Sequence, residues 1–224
     1  MKLILENWRK YLNEGMKTTA DLPSDAVIVI APDPDERKPG SKMIYYAWRN
    51  PETGKINPPT TGKSRAHPNI FGEVTIVPLG DRCPGVWESH SNADPGWGPL
   101  LYDVAMEYAT LNGNGLVSSR VGSSPDAQKV WNYYLSNRPD VEPHQLDDER
   151  NTLTPDDSDN CAQIAMPTGL DGPANYSQGD DPSAVVNPER QRDWLLKNAF
   201  SKRYTKTPST IRALEASRQL EIIK

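Results

Sequence analysis

Glu88 and His90 stand two residues apart in Val86-Trp-Glu-Ser-His-Ser91, so a strand through this stretch carries both side chains on one face. A carboxylate and an imidazole placed together can move a proton near neutral pH. The same two residues also fit an ion-paired surface group and a hydrogen-bonded packing group. Directly after them come Asn92-Ala-Asp-Pro-Gly96-Trp-Gly98-Pro99 and then Leu100-Leu-Tyr102, which opens a helix. Glycines let a backbone approach a ligand closely. The unpaired N–H groups at a helix start attract an anion such as a pyrophosphate. Trp97, Gly98, Leu100 and Leu101 carry N–H groups there, Pro99 carries none, and Asp94 places a negative charge two residues before Gly96. A tight strand-to-helix turn accounts for the same residues without a ligand. Trp87, Trp97 and Trp131 fit either an acceptor pocket or aromatic packing around a sheet, and Tyr102 and Tyr108 read as core. Cys83 has no histidine placed to activate it, which argues against thiol catalysis.

The elements that must hold these groups follow from the hydrophobic pattern. Ala26-Val-Ile-Val-Ile-Ala31, Met43-Ile-Tyr-Tyr-Ala-Trp48 and Glu73-Val-Thr-Ile-Val77 read as strands, with the strand at 86–91 after them. Asn50 to Asn69, with four prolines, is an exposed connection. Leu100, Leu101, Val104, Ala105 and Tyr108 mark one face of a helix that starts at Gly98-Pro99 and ends at Gly113-Asn-Gly115. Leu116 to Arg120 is the next strand, and Ser123-Ser124 caps a helix over 125–136. Strand, helix, strand, helix with short turns predicts an α/β unit with neighbouring parallel strands. Beyond Arg138, Asp147-Asp-Glu149 and Asp156-Asp157 read as solvated loop and Asn160 to Met166 as a strand. Thr168 to Asn187 reads as irregular, and two helices follow at about 188–202 and 208–222.

Composition narrows the functional classes. The 224 residues hold 25 basic and 30 acidic side chains, a net charge of -5, which disfavours a phosphate-tracking nucleic-acid binder. No apolar window is long enough to span a membrane. The two cysteines, far apart and without paired spacing, beside three histidines, predict two reduced thiols and no metal site. An apolar share of 36% and 21 prolines predict a modest core with long irregular loops.

Residues 1–14 form an amphipathic helix candidate, with Ile4, Trp8, Tyr11 and Leu12 on one face, and residues 15–23 read as a linker behind it. This segment resembles the capsid-targeting peptides of T-even-type tailed bacteriophages, which a prohead protease cuts after Glu in a Leu-x-Glu or Ile-x-Glu context before a small residue. Leu12-Asn13-Glu14-Gly15 matches that context. The resemblance implies docking to a phage head scaffold, cleavage between Glu14 and Gly15, and location in the virion interior and the host cytoplasm. A helix packed on its own domain is the alternative.

The stretch from about Phe71 to Asp140 resembles the GNAT-type N-acetyltransferases, whose acetyl-CoA loop reads Arg/Gln-x-x-Gly-x-Gly/Ala between a strand and a long helix. Gly96 and Gly98 match the small positions; Ala93 departs from the family's Arg or Gln. Downstream, Ser124 and Ala127 match a helix start that the family writes Asn-x-x-Ala-x-x-x-Tyr, with Trp131 in place of the Tyr and Tyr133 and Tyr134 within a turn of it. The resemblance implies a GNAT-like mixed central sheet flanked by helices over 24–146, followed by a loop-rich extension over 147–224. It also implies acetyl-CoA as co-substrate, without a metal, and an unidentified amine as acceptor. Glu88 or His90 would act as base, Tyr133 or Tyr134 as acid to the departing thiolate, and backbone groups near Ser91 and Asn92 would polarise the thioester carbonyl. Gly96, Trp97, Gly98, Leu100, Leu101 and Ser124 would hold the cofactor. Two readings of another class stand beside it. One is a non-catalytic internal head or structural protein on a degenerate acyltransferase scaffold, and the other is an antagonist of host defence acting by protein contact.

Overall fold

A computed structural model of the chain describes residues 15–35, 38–56, 71–120, 125–163 and 188–223. The strands are β1 (Ala26–Pro32), β2 (Lys42–Trp48), β3 (Gly72–Pro78), β4 (Trp87–Ala93), β5 (Leu116–Val117), β6 (Val141–Gln145), β7 (Lys202–Lys206) and β8 (Leu220–Ile222). The α-helices among the described residues are α1 (Gly98–Leu111), α2 (Pro125–Asn137), α3 (Pro188–Lys197) and α4 (Ser209–Ala216). The protein is therefore mixed α/β, with one eight-stranded sheet in the order β6-β7-β5-β4-β3-β2-β1-β8. β4 and β5 are parallel, as are β1 and β8, while β1–β2, β2–β3, β5–β7 and β6–β7 are antiparallel. The chain forms two compact units, one of Met1–Val77, His90–Glu107 and Pro208–Lys224, the other of Pro78–Ser89 and Tyr108–Thr207.

In the first unit, β1 is apolar on both faces because β2 and β8 flank it and both its faces are covered. Val27, Val29 and Ala31 pack with Met43, Tyr45 and Ala47 of β2 on one face. The decisive polar contact lies on α1. Glu107 is fully buried, and its carboxylate accepts the N–H groups of Ser209 (3.1 Å), Thr210 (2.8 Å) and Ile211 (2.7 Å) at the start of α4. Pro208 precedes that helix and offers no side-chain cap, so a carboxylate from another helix supplies it. The helix expected over 208–222 stops at Ala216. Arg218 takes a left-handed φ of 59° and the Gln219 N–H reaches back to Leu214 O, a Schellman-type end made without glycine. β8 follows.

The stretch expected as a linker over 15–23 is packed rather than loose. Asp21 accepts from the Thr18 N–H (2.8 Å) and hydroxyl (2.9 Å), closing a 3-10 turn over Thr19–Asp21, and Leu22 is buried behind it.

The second unit corrects five further expectations. Cys83 and Cys161 are not reduced thiols but form a disulfide across a sequence separation of 78. It is buried among Leu79, Val86, Val117 and Leu146. Two of the acidic residues are not solvated: Asp147 and Asp148 are buried, because their carboxylates satisfy the loop's own donors, while Glu149, Asp156 and Asp157 are exposed as expected. Asp147 accepts from the N–H groups of Asp148, Leu153 and Thr154, and Asp148 from Thr152 Oγ1 and Gln191. The strand expected over 160–166 is reduced to a single bridge, Asp147 to Asn160, with 164–166 outside the described residues. Finally, the helix expected to reach Lys202 ends at Lys197, and β7 begins at Lys202. Lys202 points inward and its Nζ donates to Leu195 O (2.8 Å), Leu196 O (3.0 Å) and Gln145, so a cation sits on the carbonyl end of α3. The strand expected over 116–120 stops at Val117, since the Arg120 N–H bonds a side chain instead of a ladder carbonyl.

Two outcomes follow from these buried charges. Glu107→Leu leaves the α4 amides without their acceptor, and urea denaturation should show a loss of about 2–3 kcal/mol, with Glu107→Gln costing less. Burial lowers the Lys202 pKa from 10.5 to about 8. Between those values the unfolded chain holds the proton that the folded chain has released, so this group adds stability as pH rises through that window and withdraws it as pH falls. The wild-type minus Lys202→Met difference in unfolding free energy should therefore climb from pH 8 towards pH 10.

Candidate functional site

The glycine turn in the first unit is built by close backbone approach. β4 ends where Gly72 of β3 lies against Ala93; Gly72 has φ 141°, and a Cβ there would collide with the Ala93 backbone. The Asp94 N–H then bonds Phe71 O at 2.8 Å. Asp94-Pro95-Gly96-Trp97 closes as a turn, with Trp97 N–H to Asp94 O at 3.1 Å and Gly96 at φ 86°. Proline second and a positive-φ glycine third are the requirements of a type II turn. α1 starts at once, and the helix geometry leaves the first-turn N–H groups of Gly98 and Leu100 without intrahelical acceptors.

The protein itself fills much of the surroundings. The Trp97 ring stacks on Phe71 with centroids 4.1 Å apart and planes at 6°, and Tyr46 meets both edge-on. The Tyr46 hydroxyl donates to Trp97 O at 2.9 Å. Burial, with the Asp103 charge adding to it, pushes that hydroxyl's pKa well above the ordinary tyrosine value. Gly96 O accepts the Lys17 N–H at 2.9 Å, the Gly15 carbonyl lies over the Gly96 Cα, and the Lys17 ammonium stands 5.9 Å from the Trp97 ring centre.

Of the residues expected to hold a cofactor, Ser91, Asn92, Gly96, Trp97, Gly98, Leu100 and Leu101 all belong to this unit. The Trp97 N–H is already used within the turn. Leu100 and Leu101 are 3% and 1% exposed, so their side chains are packed in the core. Ser91 and Asn92 are exposed at the end of β4, and Ser91 Oγ lies 2.6 Å from the Tyr102 hydroxyl. His90 is half-buried on β4. Ser124 and Glu14 lie outside the described residues, whereas Gly15 is part of the contact with Gly96.

The remaining candidates belong to the second unit. Trp87 and Glu88 pair in parallel with Leu116 and Val117, Ser89 Oγ donates to Val117 O at 3.0 Å, and the β4–β5 ladder stops there although β4 runs on to Ala93. Glu88 is buried and its Oε1 accepts the Arg120 N–H at 2.6 Å. The Arg120 guanidinium, 5% exposed, donates to Phe200 O at 2.7 Å. Burial draws its pKa down to about 10, against the opposing pull of the Glu88 charge. A carboxylate that holds a loop amide beside a buried cation is well suited to fixing the β4–β5 junction. Trp131 and Tyr134 are buried, with Trp131 against Tyr204 at 5.0 Å and the Arg138 guanidinium 5.4 Å over Tyr134. Tyr133 is half-buried beside Tyr134. Trp87 packs on Tyr108 at 6.0 Å.

Lys17, Tyr46 and Phe71 at the turn and Arg120 behind Glu88 were not legible in the residue pattern, because each comes from a distant segment. Among the described residues no group of three or more histidine, cysteine, aspartate or glutamate side chains could hold a metal ion, and no helix is long and apolar enough to cross a membrane. No protein-family model matches the chain, and no curated protein or solved structure shows significant similarity to it.

The contacts of Glu88 separate its two possible roles. If it anchors Arg120, Glu88→Gln should lower stability by about 1–3 kcal/mol in urea denaturation; a purely catalytic carboxylate would leave the unfolding midpoint in place.

Proposed function

We propose that the chain binds acetyl-CoA in the manner of a GNAT-type acetyltransferase and passes the acetyl group to an amine acceptor. The observation that carries this reading is the start of α1 directly after the glycine turn, with Ser91 and Asn92 exposed at the end of β4 in the same unit. The start of α1, with the Gly98 N–H at its positive end, suits the diphosphate. Ser91 and Asn92, exposed on the free end of β4, suit the thioester carbonyl. The half-buried His90 is the better base candidate, since the Glu88 carboxylate is committed to Arg120.

A second reading has its own support: a non-catalytic head or structural protein on the same scaffold. The Trp97 N–H engaged in the turn and Trp131 buried against Tyr204 both favour it. Residues 1–14 are proposed to dock the protein to a phage head scaffold and to be cut after Glu14, whichever reading holds.

Isothermal titration of the full chain with acetyl-CoA, followed by acetyl transfer across a panel of amines, decides between the readings. Binding with transfer, lost in His90→Ala, supports the enzyme. Binding without transfer supports the scaffold, and no heat at millimolar coenzyme removes the acyl-transfer reading. Mass spectrometry of the virion-borne protein should show an N-terminus at Gly15; one at Met1 overturns the cleavage.

A further inference from the structure

The glycine turn is covered by the chain's own segment from Gly15 to Lys17. The Gly15 carbonyl oxygen lies so near the Gly96 Cα that a Cβ at 96 would collide with it. The Lys17 N–H donates to Gly96 O at 2.9 Å, and the Lys17 ammonium stands over the Trp97 ring at 5.9 Å. The Gly15 carbonyl lies on the side of Gly96 that the missing side chain leaves open. Among the described residues the segment is held by a backbone hydrogen bond, a cation–ring contact and a Lys17–Asp21 ion pair at 4.0 Å whose side chains are 41% and 40% exposed. Immediately downstream the chain is fixed, by the Thr18–Asp21 bonds and the buried Leu22. A segment pinned at its downstream end can swing from a fixed point.

We infer that Gly15–Lys17 is a strap that closes the glycine turn and must lift before a diphosphate can use it, an inference that rests on the coenzyme reading above. The strap and the diphosphate are then competitors, and the apparent affinity of the coenzyme is reduced by the fraction of molecules with the strap seated. The strap begins at the residue that would become the N-terminus on cleavage after Glu14, so that cut would free its upstream end while leaving the turn contacts in place.

The test is amide hydrogen exchange on the full chain, read at Lys17, with and without millimolar coenzyme A, together with titration of Lys17→Pro. Lys17→Pro lacks the N–H that bonds Gly96. Competition predicts that the Lys17 amide is protected in the free protein and loses its protection when coenzyme binds. It also predicts that Lys17→Pro binds about fivefold more tightly, the worth of one net hydrogen bond. Bound coenzyme with Lys17 still protected, and equal affinities, would overturn the strap while leaving the coenzyme reading intact. No binding to either protein would overturn the coenzyme reading and the strap's gating with it. The exchange measurement on the wild-type chain needs no variant, so poor folding of Lys17→Pro leaves the question decidable.

Discussion

A buried carboxylate needs compensation, and Glu107 finds it in the amides of a helix a hundred residues further along the chain. That single group ties α1 to α4. At its other end α1 is held by the Tyr46 hydroxyl on Trp97 O and by the Phe71–Trp97 stack. The helix that starts at the glycine turn is thus clamped at both ends by polar contacts with fixed geometry, and its first amides are aimed by them. Unpairing the Glu107 cap would release the C-terminal helix and, with it, the β8 strand that flanks β1. The orientation of the turn is a consequence of contacts made far from it in sequence.

The parts of the fold that were legible are those whose patterning is local. β1, β2 and β3 announce themselves by apolar or alternating runs, α1 by Gly-Pro at its start and glycines after its end. The parts that were not legible are those where a polar group is buried because something distant satisfies it. β7 carries lysines at its inward positions, and these read as surface until Lys202 is seen on the carbonyl end of α3 and Lys206 beside Asp140 at 3.5 Å. β8 follows a left-handed Arg218, where only a glycine would have marked the helix end. Asp147 and Asp148 read as solvated because nothing in their spacing shows that the loop wraps its own amides around them. Of the candidate site, the turn and the strand before it were visible; the strap, the aromatic stack and Arg120 were not, for the same reason.

The disulfide bears on location less than it first suggests. Disulfides persist mostly where the surroundings are oxidising. Exchange, however, requires a thiolate to reach a sulfur, and Cys83 and Cys161 are 2% and 0% exposed within an apolar cluster. A bond so enclosed is shielded from small thiols while the unit stays folded. Its existence is compatible with a virion interior as readily as with an oxidising compartment, and it joins Pro78–Val86 to the loop after β6 in either.

The glycines that drew attention to the turn turn out to have structural duties. Gly72 permits β3 to lie against Ala93, and Gly96 supplies the positive φ of a type II turn after Pro95. Once each is accounted for, the glycine spacing by itself carries little weight for a phosphate site. The weight moves to backbone arrangement. In the first unit α1 starts directly after the turn, and Ser91 and Asn92 lie exposed at the end of β4. On the Gly96 side the occupant is the chain's own Gly15–Lys17, held by its backbone and not by its side chains alone. The Gly15–Lys17 peptide and the proposed coenzyme would meet the same backbone. Fold alone does not choose between them; the reversibility of the strap does.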